Sequence, residues 1–355
     1  MISTDIEEGE HLRPTIKDVA KAVGISTTTV SLVLNNKPNR ISKMKKAEII
    51  KAASELNYRP NRIAVSMVTK ETHTIGLILP DISNLYFSEL AKIIEEEFRK
   101  YGYTVLYGNT SDSVEYDFEY LNIFIDSNVD AVIMVLSASF SEENKIRFHQ
   151  IIDNNPVPII ILDRSINDKN MKSILLDQQL GGYLATTYLI HLGHRKIGCI
   201  TGPKNMSSAN ERVNGYILAL SEAGIPFDEN LIIEGDFSVE SGMRALPYLL
   251  GQSVTAVFAS NDMMAIGIYR ECNRFNVKIP QDLSIVGFDD IFLSEFIDPP
   301  LTTISQPIDK IAKEAVNQIL LLLHGDASDK NDVIFKPVLK VRGSATSAAE
   351  SLSIR

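Results

Sequence analysis

The apolar and polar residues near the start of the chain follow a pattern that predicts short helices. Between residues 16 and 23, apolar residues recur at positions i, i+3, i+4 and i+7, which is the spacing of one helix face. Thr15 followed by Asp18 predicts a capping box, and Gly24 predicts the end of this helix. Ser26 is placed to cap a second helix after a very short turn. Two helices joined so closely must cross at a steep angle, which is typical of a helix-turn-helix.

The second predicted helix has two unlike faces. Val30, Val33 and Leu34 fall on one face, where they can pack against the first helix. The opposite face carries small hydroxyls and one leucine: Thr27, Thr28, Ser31 and Leu32. In a helix-turn-helix the second helix enters the major groove, where hydroxyls bond to base edges and an apolar side chain rests on a thymine methyl. The pattern predicts that this face reads DNA, the alternative being that Leu32 packs against a neighbouring domain.

Two more helices are predicted to complete this region. The third begins at the Ser42 cap, and its inward residues are predicted to be Ala47, Ile50, Ala53 and Leu56. Pro60 blocks its continuation, and Asn61 can cap a short helix with one apolar side formed by Ile63, Ala64 and Met67. Because a helix of about two turns is marginal in water, it is expected to order when a twin copy or DNA covers that side. The alternative is an exposed linker.

From Thr74 onward, short β-branched runs alternate with helix-length segments. The nine runs are TIGLILP, YTVLYGN, DAVIMVL, PIIILD, SILLD, KIGCITG, LIIEGD, TAVFASND and LSIVGFDD. Near-continuous apolar strands that alternate with helices are typical of parallel sheets covered on both faces. A break near residues 164–173 divides the runs into two groups. The predicted fold of this part is α/β, with two doubly wound parallel-sheet subdomains and a cleft between them.

The charge of the chain is unevenly distributed. The 355 residues are 45% hydrophobic and carry a net charge of −10, which alone argues against a nucleic-acid partner. Residues 15–70 nevertheless hold eleven Lys and Arg against three Asp and Glu, a net charge of +8, whereas residues 1–14 carry −3 and the remainder −15. A basic region joined to an acidic body is expected when a polyanion-binding module is fused to a second function.

The sequence offers little support for several other classes of protein. The two cysteines, Cys199 and Cys272, lie in apolar segments, the first 14 residues have no signal-peptide core, and no apolar run could span a membrane, so a cytoplasmic protein is expected. No G-x-G-x-x-G follows the early strands, no G-x-x-x-x-G-K-[ST] appears, and the six histidines form no metal signature. Asp163 and Asp289 could serve acid/base chemistry, but no nucleophile-base pair is evident. We expect no enzyme, no cofactor and no metal.

Ordered motifs across residues 15–344 resemble the lactose/galactose repressor family of bacterial transcription regulators, most of all its ribose-operon type. They are TIKDVAKAVGISTTTVSLVLN, LNYRPNRIAVSM, YLIHLGHRKIG, VFASNDMMAIG, IPQDLSIVGFDD and LTTISQP. The resemblance implies a homodimeric repressor that binds a pseudo-palindromic operator and holds a small effector in a periplasmic-binding-protein-like core. The predicted domains are an acidic extension (1–14), a helix-turn-helix domain (15–59), a hinge helix with linker (60–72), an effector-binding and dimerisation core (73–345) and a tail (346–355).

The resemblance also implies which residues contact DNA. The hinge helix is expected to pair with its twin and enter the minor groove, where Met67 would wedge between base pairs and bend the duplex. The family usually has leucine at that position, and Val65 occupies a place that is often polar. Leu32 stands where relatives more often carry Arg or His, so an altered half-site preference is expected. The implied DNA-binding set is Thr27, Thr28, Ser31, Leu32, Asn61, Arg62 and Met67.

Polar and aromatic residues at the strand ends, where ligands of open α/β sheets bind, match the sugar contacts of periplasmic pentose binders. The implied effector residues are Asn84, Tyr86, Phe87, Asp163, Arg164, Arg212, Asn261, Asp289 and Gln306. An aldopyranose needs rings for its apolar faces and acids, arginines and amides for its hydroxyls. We therefore predict an allosteric repressor with a ribose-like pentose as effector. The alternatives are core packing of the rings and a domain-closing ion pair between Asp163 and Arg164.

Three rival functions share much of this pattern. Within the family, a phosphorylated carrier protein can replace the sugar, and a purine can act as corepressor. Outside it, a periplasmic sugar-binding protein has the same body, but it would need an export signal and would not carry the basic region. The sequence favours a sugar-controlled repressor and leaves open whether the sugar induces or corepresses.

Overall fold

The computed structural model describes residues 14–34, 40–58, 66, 71–166, 168, 171–326 and 331–348. The chain divides into two compact units, Met1–Thr72 and His73–Arg355. The predicted hinge residues Asn61, Arg62 and Met67 lie outside the described residues, so those three assignments stay predictions.

The described part of the first unit consists of three helices around a small core. Their bounds are α1 Ile16–Val23, α2 Thr27–Leu34 and α3 Lys43–Glu55. Each helix begins where a side-chain oxygen accepts backbone N–H groups, as the sequence predicts: Asp18 accepts from Thr15 at 2.8 Å, Ser26 from Thr29 at 3.2 Å and Ser42 from Lys45 at 3.3 Å. The fully or nearly fully buried side chains are Val19, Ala20, Val23, Val30, Val33, Ile49 and Ala53.

The inward face predicted for α3 is wrong at two of its four positions. Ala47 is exposed and Ile50 is 56% exposed, whereas Ile49 is completely buried. The predicted set advanced by three residues at every step, and such a set drifts around a helix of 3.6 residues per turn. The observed apolar stripe keeps to one face because its steps alternate between three and one: Ile49, Ala52, Ala53 and Leu56.

The described residues of the second unit form two six-stranded sheets, one in each subdomain. The strands of subdomain 1 are β1 Thr74–Leu79, β2 Thr104–Asn109, β3 Ala131–Met134, β4 Ile159–Leu162, β5 Ser173–Leu176 and β11 Val333–Phe335, all paired in parallel. Those of subdomain 2 are β6 Ile197–Thr201, β7 Ile232–Glu234, β8 Ala256–Ala259, β9 Ser284–Asp289, β10 Thr302–Ser305 and β12 Val338–Lys340. They pair in parallel except for β10 with β12.

Helices cover both faces of these sheets, which confirms the predicted doubly wound fold. Their bounds are α4 Leu85–Arg99, α5 Val114–Asp126, α6 Glu142–Asn154, α7 Gln178–His191, α8 Ser207–Glu222, α9 Val239–Gly251, α10 Asp262–Phe275 and α11 Ile308–Leu323. The strand orders are β11-β5-β4-β3-β1-β2 and β12-β10-β9-β8-β6-β7. In both, the strand order reverses next to the first strand, which places ligand-binding loops at the carboxyl ends of the strands.

The predicted break near residues 164–173 does not separate the two subdomains. β5, which follows that break, pairs with β4 in subdomain 1. In the described residues the chain crosses between subdomains at three later places: residue 177, residues 306–307 and residues 336–337. The backbone N–H of Asp177 donates to the carbonyl of Phe335 at 2.8 Å, so the first and third crossovers are joined. The long loop after β4 is therefore an excursion within subdomain 1.

Candidate functional site

A cavity lies between the two subdomains, and the space within it and at its opening to solvent is about 330 Å³. All nine residues that the sequence assigned to the effector line it, together with Met206, Ser208 and Phe237. The lining residues come from loops and helix starts at the carboxyl ends of strands in both sheets, where open α/β sheets bind ligands.

Asn84, Tyr86 and Phe87 form the start of α4 on the wall of subdomain 1. Asn84 caps the helix, because its Oδ1 accepts the backbone N–H of Tyr86 at 3.1 Å. The Tyr86 and Phe87 rings meet edge to face with their centroids 5.3 Å apart, and both are nearly buried. Burial, with the neighbouring carboxylates of Asp163 and Asp289, holds the pKa of Tyr86 well above its usual value. The Tyr86 hydroxyl is therefore neutral and can donate a hydrogen bond within the cavity.

Asp163 and Arg164 follow β4 on the same wall. Asp163 has a left-handed backbone conformation, with φ of 65°, which turns the chain sharply at the strand end. Arg164 Nη1 donates to Asp112 Oδ1 at 2.7 Å and to the carbonyl of Leu136. Its Nε lies 4.0 Å from Asp163 Oδ2 and has no hydrogen-bond partner among the described residues. Since Asp112 and Asp163 both belong to subdomain 1, these contacts of Arg164 do not close one subdomain on the other.

Arg212, from α8, is the cation on the wall of subdomain 2. Its Nε donates to Gln178 Oε1 at 2.8 Å, and its Nη1 donates to the backbone carbonyl of Ser260. The guanidinium carbon lies 3.7 Å from the centroid of the Phe288 ring, a cation–π contact. Burial lowers the pKa of Arg212, and the carboxylates of Asp289 and Asp163 act against that change. A guanidinium remains charged in such a site because its usual pKa is so high.

Asp289 and Gln306 occupy the ends of β9 and β10. Gln306 Nε2 donates to Asp289 Oδ1 at 2.8 Å, and Gln306 Oε1 is buried without a hydrogen-bond partner among the described residues. Burial raises the pKa of Asp289 to about 8, with smaller contributions from Asp262 and Asp163 and an opposing one from Arg212. A carboxyl group with that pKa is a hydrogen-bond donor at pH 6 and largely an acceptor at pH 9.

Asn261 and Phe237 are linked on the wall of subdomain 2. Asn261 Oδ1 accepts the N–H of Met264 as the cap of α10, and its Nδ2 donates to the carbonyl of Phe237 at 3.0 Å. Phe237 was not among the predicted residues, nor were Met206 and Ser208 at the start of α8. The strand-end rule that found the other residues also applies to Phe237, because Phe237 directly follows the apolar run LIIEGD. Phe237 gives subdomain 2 a cavity ring of its own, alongside Tyr86 and Phe87 of subdomain 1.

The cavity lining combines acidic and basic side chains with unused hydrogen-bonding capacity. It contains two carboxyl groups, Asp163 and Asp289, and two guanidinium groups, Arg164 and Arg212. Arg164 Nε and Gln306 Oε1 are buried without hydrogen-bond partners among the described residues. A buried polar atom that lacks a hydrogen bond costs free energy. A neutral ligand with several hydroxyl groups would satisfy them without adding charge. No group of His, Cys, Asp and Glu among the described residues could hold a metal ion.

The outer face of α2 is the other candidate site, in the first unit. Thr27 and Thr28 are exposed at the start of the helix, and Ser31 and Leu32 are partly exposed one turn later. Val30 and Val33 are buried on the inner face. The structure therefore leaves the four predicted residues accessible to a ligand from outside the unit. No helix among the described residues is both long and apolar enough to cross a membrane.

Family models match both units of the chain. Residues 15–61 match the model for bacterial regulatory proteins of the lacI family, and residues 186–345 match the periplasmic binding protein-like domain. The HTH-type transcriptional repressor PurR of Vibrio atlanticus is 37% identical over 86% of this chain and 91% of its own length. The ribose operon repressor of Escherichia coli K12 is 34% identical over 93% of this chain and 99% of its own length.

Solved structures show the same architecture. The lac repressor dimer bound to operator and the anti-inducer ONPF matches with a TM-score of 0.83 and 27% identity, covering 94% of this chain and 100% of that chain. A lacI-family regulator from Enterococcus faecium with bound ribose matches with a TM-score of 0.70 and 30% identity. That match covers 77% of this chain and 99% of the other.

Proposed function

Because the chain belongs to the lacI family of bacterial regulatory proteins, we propose that it is a repressor whose affinity for a pseudo-palindromic operator is controlled by a ribose-like pentose in the cavity. The observation that carries this proposal is the composition of the cavity wall. Each subdomain supplies one carboxylate, one arginine and at least one aromatic ring, which are the groups that a monosaccharide requires. The ribose bound to the regulator from Enterococcus faecium supports the same choice of ligand.

The mechanism follows from the position of the cavity between subdomains. A sugar that contacts Asp163 and Arg164 on one side and Arg212 and Asp289 on the other binds more tightly when the subdomains are closed. It therefore shifts the equilibrium towards closure by the ratio of its affinities for the two states. If operator binding also depends on closure in a homodimer, sugar and operator change one another's affinity by the same factor. The direction of that change is what an operator-binding titration measures.

A thermal-shift screen tests the effector. Ribose, xylose, arabinose, glucose and a purine base are added separately, and a ligand present at 100 times its Kd should stabilise the folded form by about 2.7 kcal/mol. We expect the melting temperature to rise most with ribose, and this rise to fall in Asp289→Asn but not in Glu143→Gln, a matched change at an exposed acid. A rise with the purine alone would instead support a purine corepressor, which the 37% identity to PurR makes the second candidate.

An operator selection tests the other half of the proposal. Full-length protein selects duplexes from a random pool, and the enriched sequence should contain an inverted repeat. Leu32→Ala should lower affinity for it by roughly tenfold, as expected when one base contact is lost, and should relax the preference at one base pair of each half-site. Ile50→Ala removes an exposed apolar side chain from α3, outside the predicted DNA-binding set, and serves as the control. Equal binding to unrelated duplexes would contradict the proposal.

The two tests are then combined. Adding ribose to the repressor-operator complex should change the fraction of DNA retained in an electrophoretic shift assay. Retention that is insensitive to every sugar, yet altered by a phosphorylated carrier protein, would favour the rival mode of control.

A further inference from the structure

Three contacts hold the guanidinium group of Arg212. Gln178 Oε1 accepts its Nε–H, the carbonyl of Ser260 accepts from Nη1, and the ring of Phe288 covers one face. Nη2 makes no hydrogen bond among the described residues, and Arg212 lines the cavity. Since Nε and Nη1 are both engaged, the group cannot rotate without breaking a charge-assisted hydrogen bond. Its free edge is consequently held in one orientation.

Gln178 differs from the other two partners in where it lies along the chain. Ser260 directly follows β8, and Phe288 belongs to β9, both in the sheet of subdomain 2. Gln178, in contrast, is the first residue after the crossover at Asp177. That crossover is bonded to the third one through Asp177 and Phe335. Gln178 does not line the cavity. Its side chain therefore connects the crossover at Asp177 to the cavity without touching a ligand.

Close packing of α7 against α8 brings the two side chains together. A Cβ added at Gly182 of α7 would overlap the backbone carbonyl of Arg212 on α8. The resulting close approach leaves Gln178 only 2% exposed. In the described residues its amide makes one hydrogen bond, to Arg212, while its Nε2 is buried without a partner. Such a half-satisfied buried amide adds little to stability.

From this arrangement we propose that Gln178 is a positioning residue for effector recognition, which sets the orientation of Arg212 from the crossover between the subdomains. The inference rests on the proposed function, because it concerns the same cavity. In this arrangement the Gln178 side chain has two effects. The amide oxygen keeps Nη2 directed at the ligand, and any movement of the crossover during closure moves the amide and hence Arg212. Recognition of the effector and rotation of the subdomains are coupled at this hydrogen bond.

A double-mutant cycle tests the proposal. Ribose affinity is measured by calorimetry for the wild type, Gln178→Leu, Arg212→Lys and the double variant. Gln178→Leu should weaken binding roughly tenfold, as expected for loss of a hydrogen bond to a charged group. In the Arg212→Lys background the same change should cost less than about twofold, because lysine has no Nε–H to orient. An equal loss in both backgrounds would show that Gln178 acts independently of Arg212 and would overturn the proposal.

Two further variants separate orientation from general damage. Gln178→Glu retains an acceptor oxygen and should recover most of the lost affinity, whereas affinity below that of Gln178→Leu would count against the proposal. Gln179→Leu changes the neighbouring exposed glutamine and should leave affinity unchanged. An equal loss in this control would also overturn the proposal.

A second readout needs no sugar. If the wild type binds no ribose, the proposed function fails, but the positioning role can still be measured by the exchange rate of the Arg212 Nε–H in NMR. Exchange should be slow in the wild type and in Gln178→Glu and at least tenfold faster in Gln178→Leu. Fast exchange in the wild type would show that the hydrogen bond does not hold Arg212, and the inference would be wrong.

Discussion

The two subdomains have the same strand order but hold their charged cavity residues differently. Arg164 of subdomain 1 is paired with Asp112 of the same subdomain at 2.7 Å. Arg212 of subdomain 2 is bonded only to neutral groups, the Gln178 amide and the Ser260 carbonyl. The Arg164 charge is therefore paired with a carboxylate of its own subdomain, whereas Arg212 hydrogen-bonds to no carboxylate among the described residues.

The carboxylates extend this contrast. Asp289 of subdomain 2 accepts a hydrogen bond from the neutral amide of Gln306, and burial raises its pKa to about 8 even though Arg212 is near. An ionised Asp289 is thus destabilised unless hydroxyl donors reach it. Effector discrimination should therefore reside mainly in subdomain 2, while subdomain 1 offers a preformed wall.

The strongest way to test this contrast is to remove each arginine in turn. Arg212→Met should lower ribose affinity by roughly 100-fold, because it deletes a charged hydrogen-bond donor that lines the cavity. Arg164→Met should lower affinity by tenfold or less. It should also lower the melting temperature of the unliganded protein, because Asp112 loses its partner. Calorimetry and thermal denaturation measure the two effects, and a larger affinity loss in Arg164→Met would contradict the contrast.

The titration of Asp289 provides the next test. Its folded pKa is raised from 3.8 to about 8, so the folded protein binds a proton at this group more tightly than the unfolded chain does. Stability from this group is present below pH 4 and is lost as the pH rises towards 8. Asp262 and Asp117, with pKa values raised to about 6, contribute in the same direction. Thermal denaturation at several pH values should therefore compare the wild type with Asp289→Asn. The variant should not show the loss of stability that the wild type shows between about pH 6 and pH 8.

Ligand binding should depend on the same group, but the sugar should favour the ionised form of Asp289, which burial alone disfavours. Sugar hydroxyls stabilise the ionised carboxylate, so ribose binding should release a proton near pH 7, and ribose affinity should rise up to tenfold per pH unit until about pH 8. Calorimetry in buffers with different ionisation enthalpies measures the released proton. A binding enthalpy that is independent of the buffer would show that Asp289 does not change its protonation state.

Much of this architecture follows from the sequence because it depends on local patterns. The helix caps at Thr15, Ser26 and Ser42 and the nine apolar runs indicate where elements begin and what kind they are. The nine cavity residues were found because strand ends of parallel sheets converge and because their motifs resemble a known family. Their role in binding stays a prediction, as do the domain boundaries.

The parts that were missed or wrong depend on contacts between distant segments. The membership of β5 in subdomain 1 is decided by pairing with β4, and no local signal in the loop between them reveals it. The short strands β10, β11 and β12 contain too few residues for a clear alternation pattern. The proposed role of Gln178 could not be predicted from the sequence either, because it depends on the hydrogen bond to Arg212, 34 residues further along the chain.

The smallest expected effect concerns the local pair of subdomain 1. Asp112→Asn keeps the shape of the side chain but removes the charge that faces Arg164. Because the side chain of Asp112 is 36% exposed, solvent screens the pair, and the loss of stability should stay below about 1 kcal/mol. Ribose affinity should fall by only about threefold, since Leu136 still accepts from Arg164. Asp153→Asn, at an exposed position on α6, is the matched control. If Asp112→Asn instead weakened ribose binding as much as Arg212→Met, the charge of subdomain 1 would not be compensated independently of the ligand, and the two walls of the cavity would be equivalent.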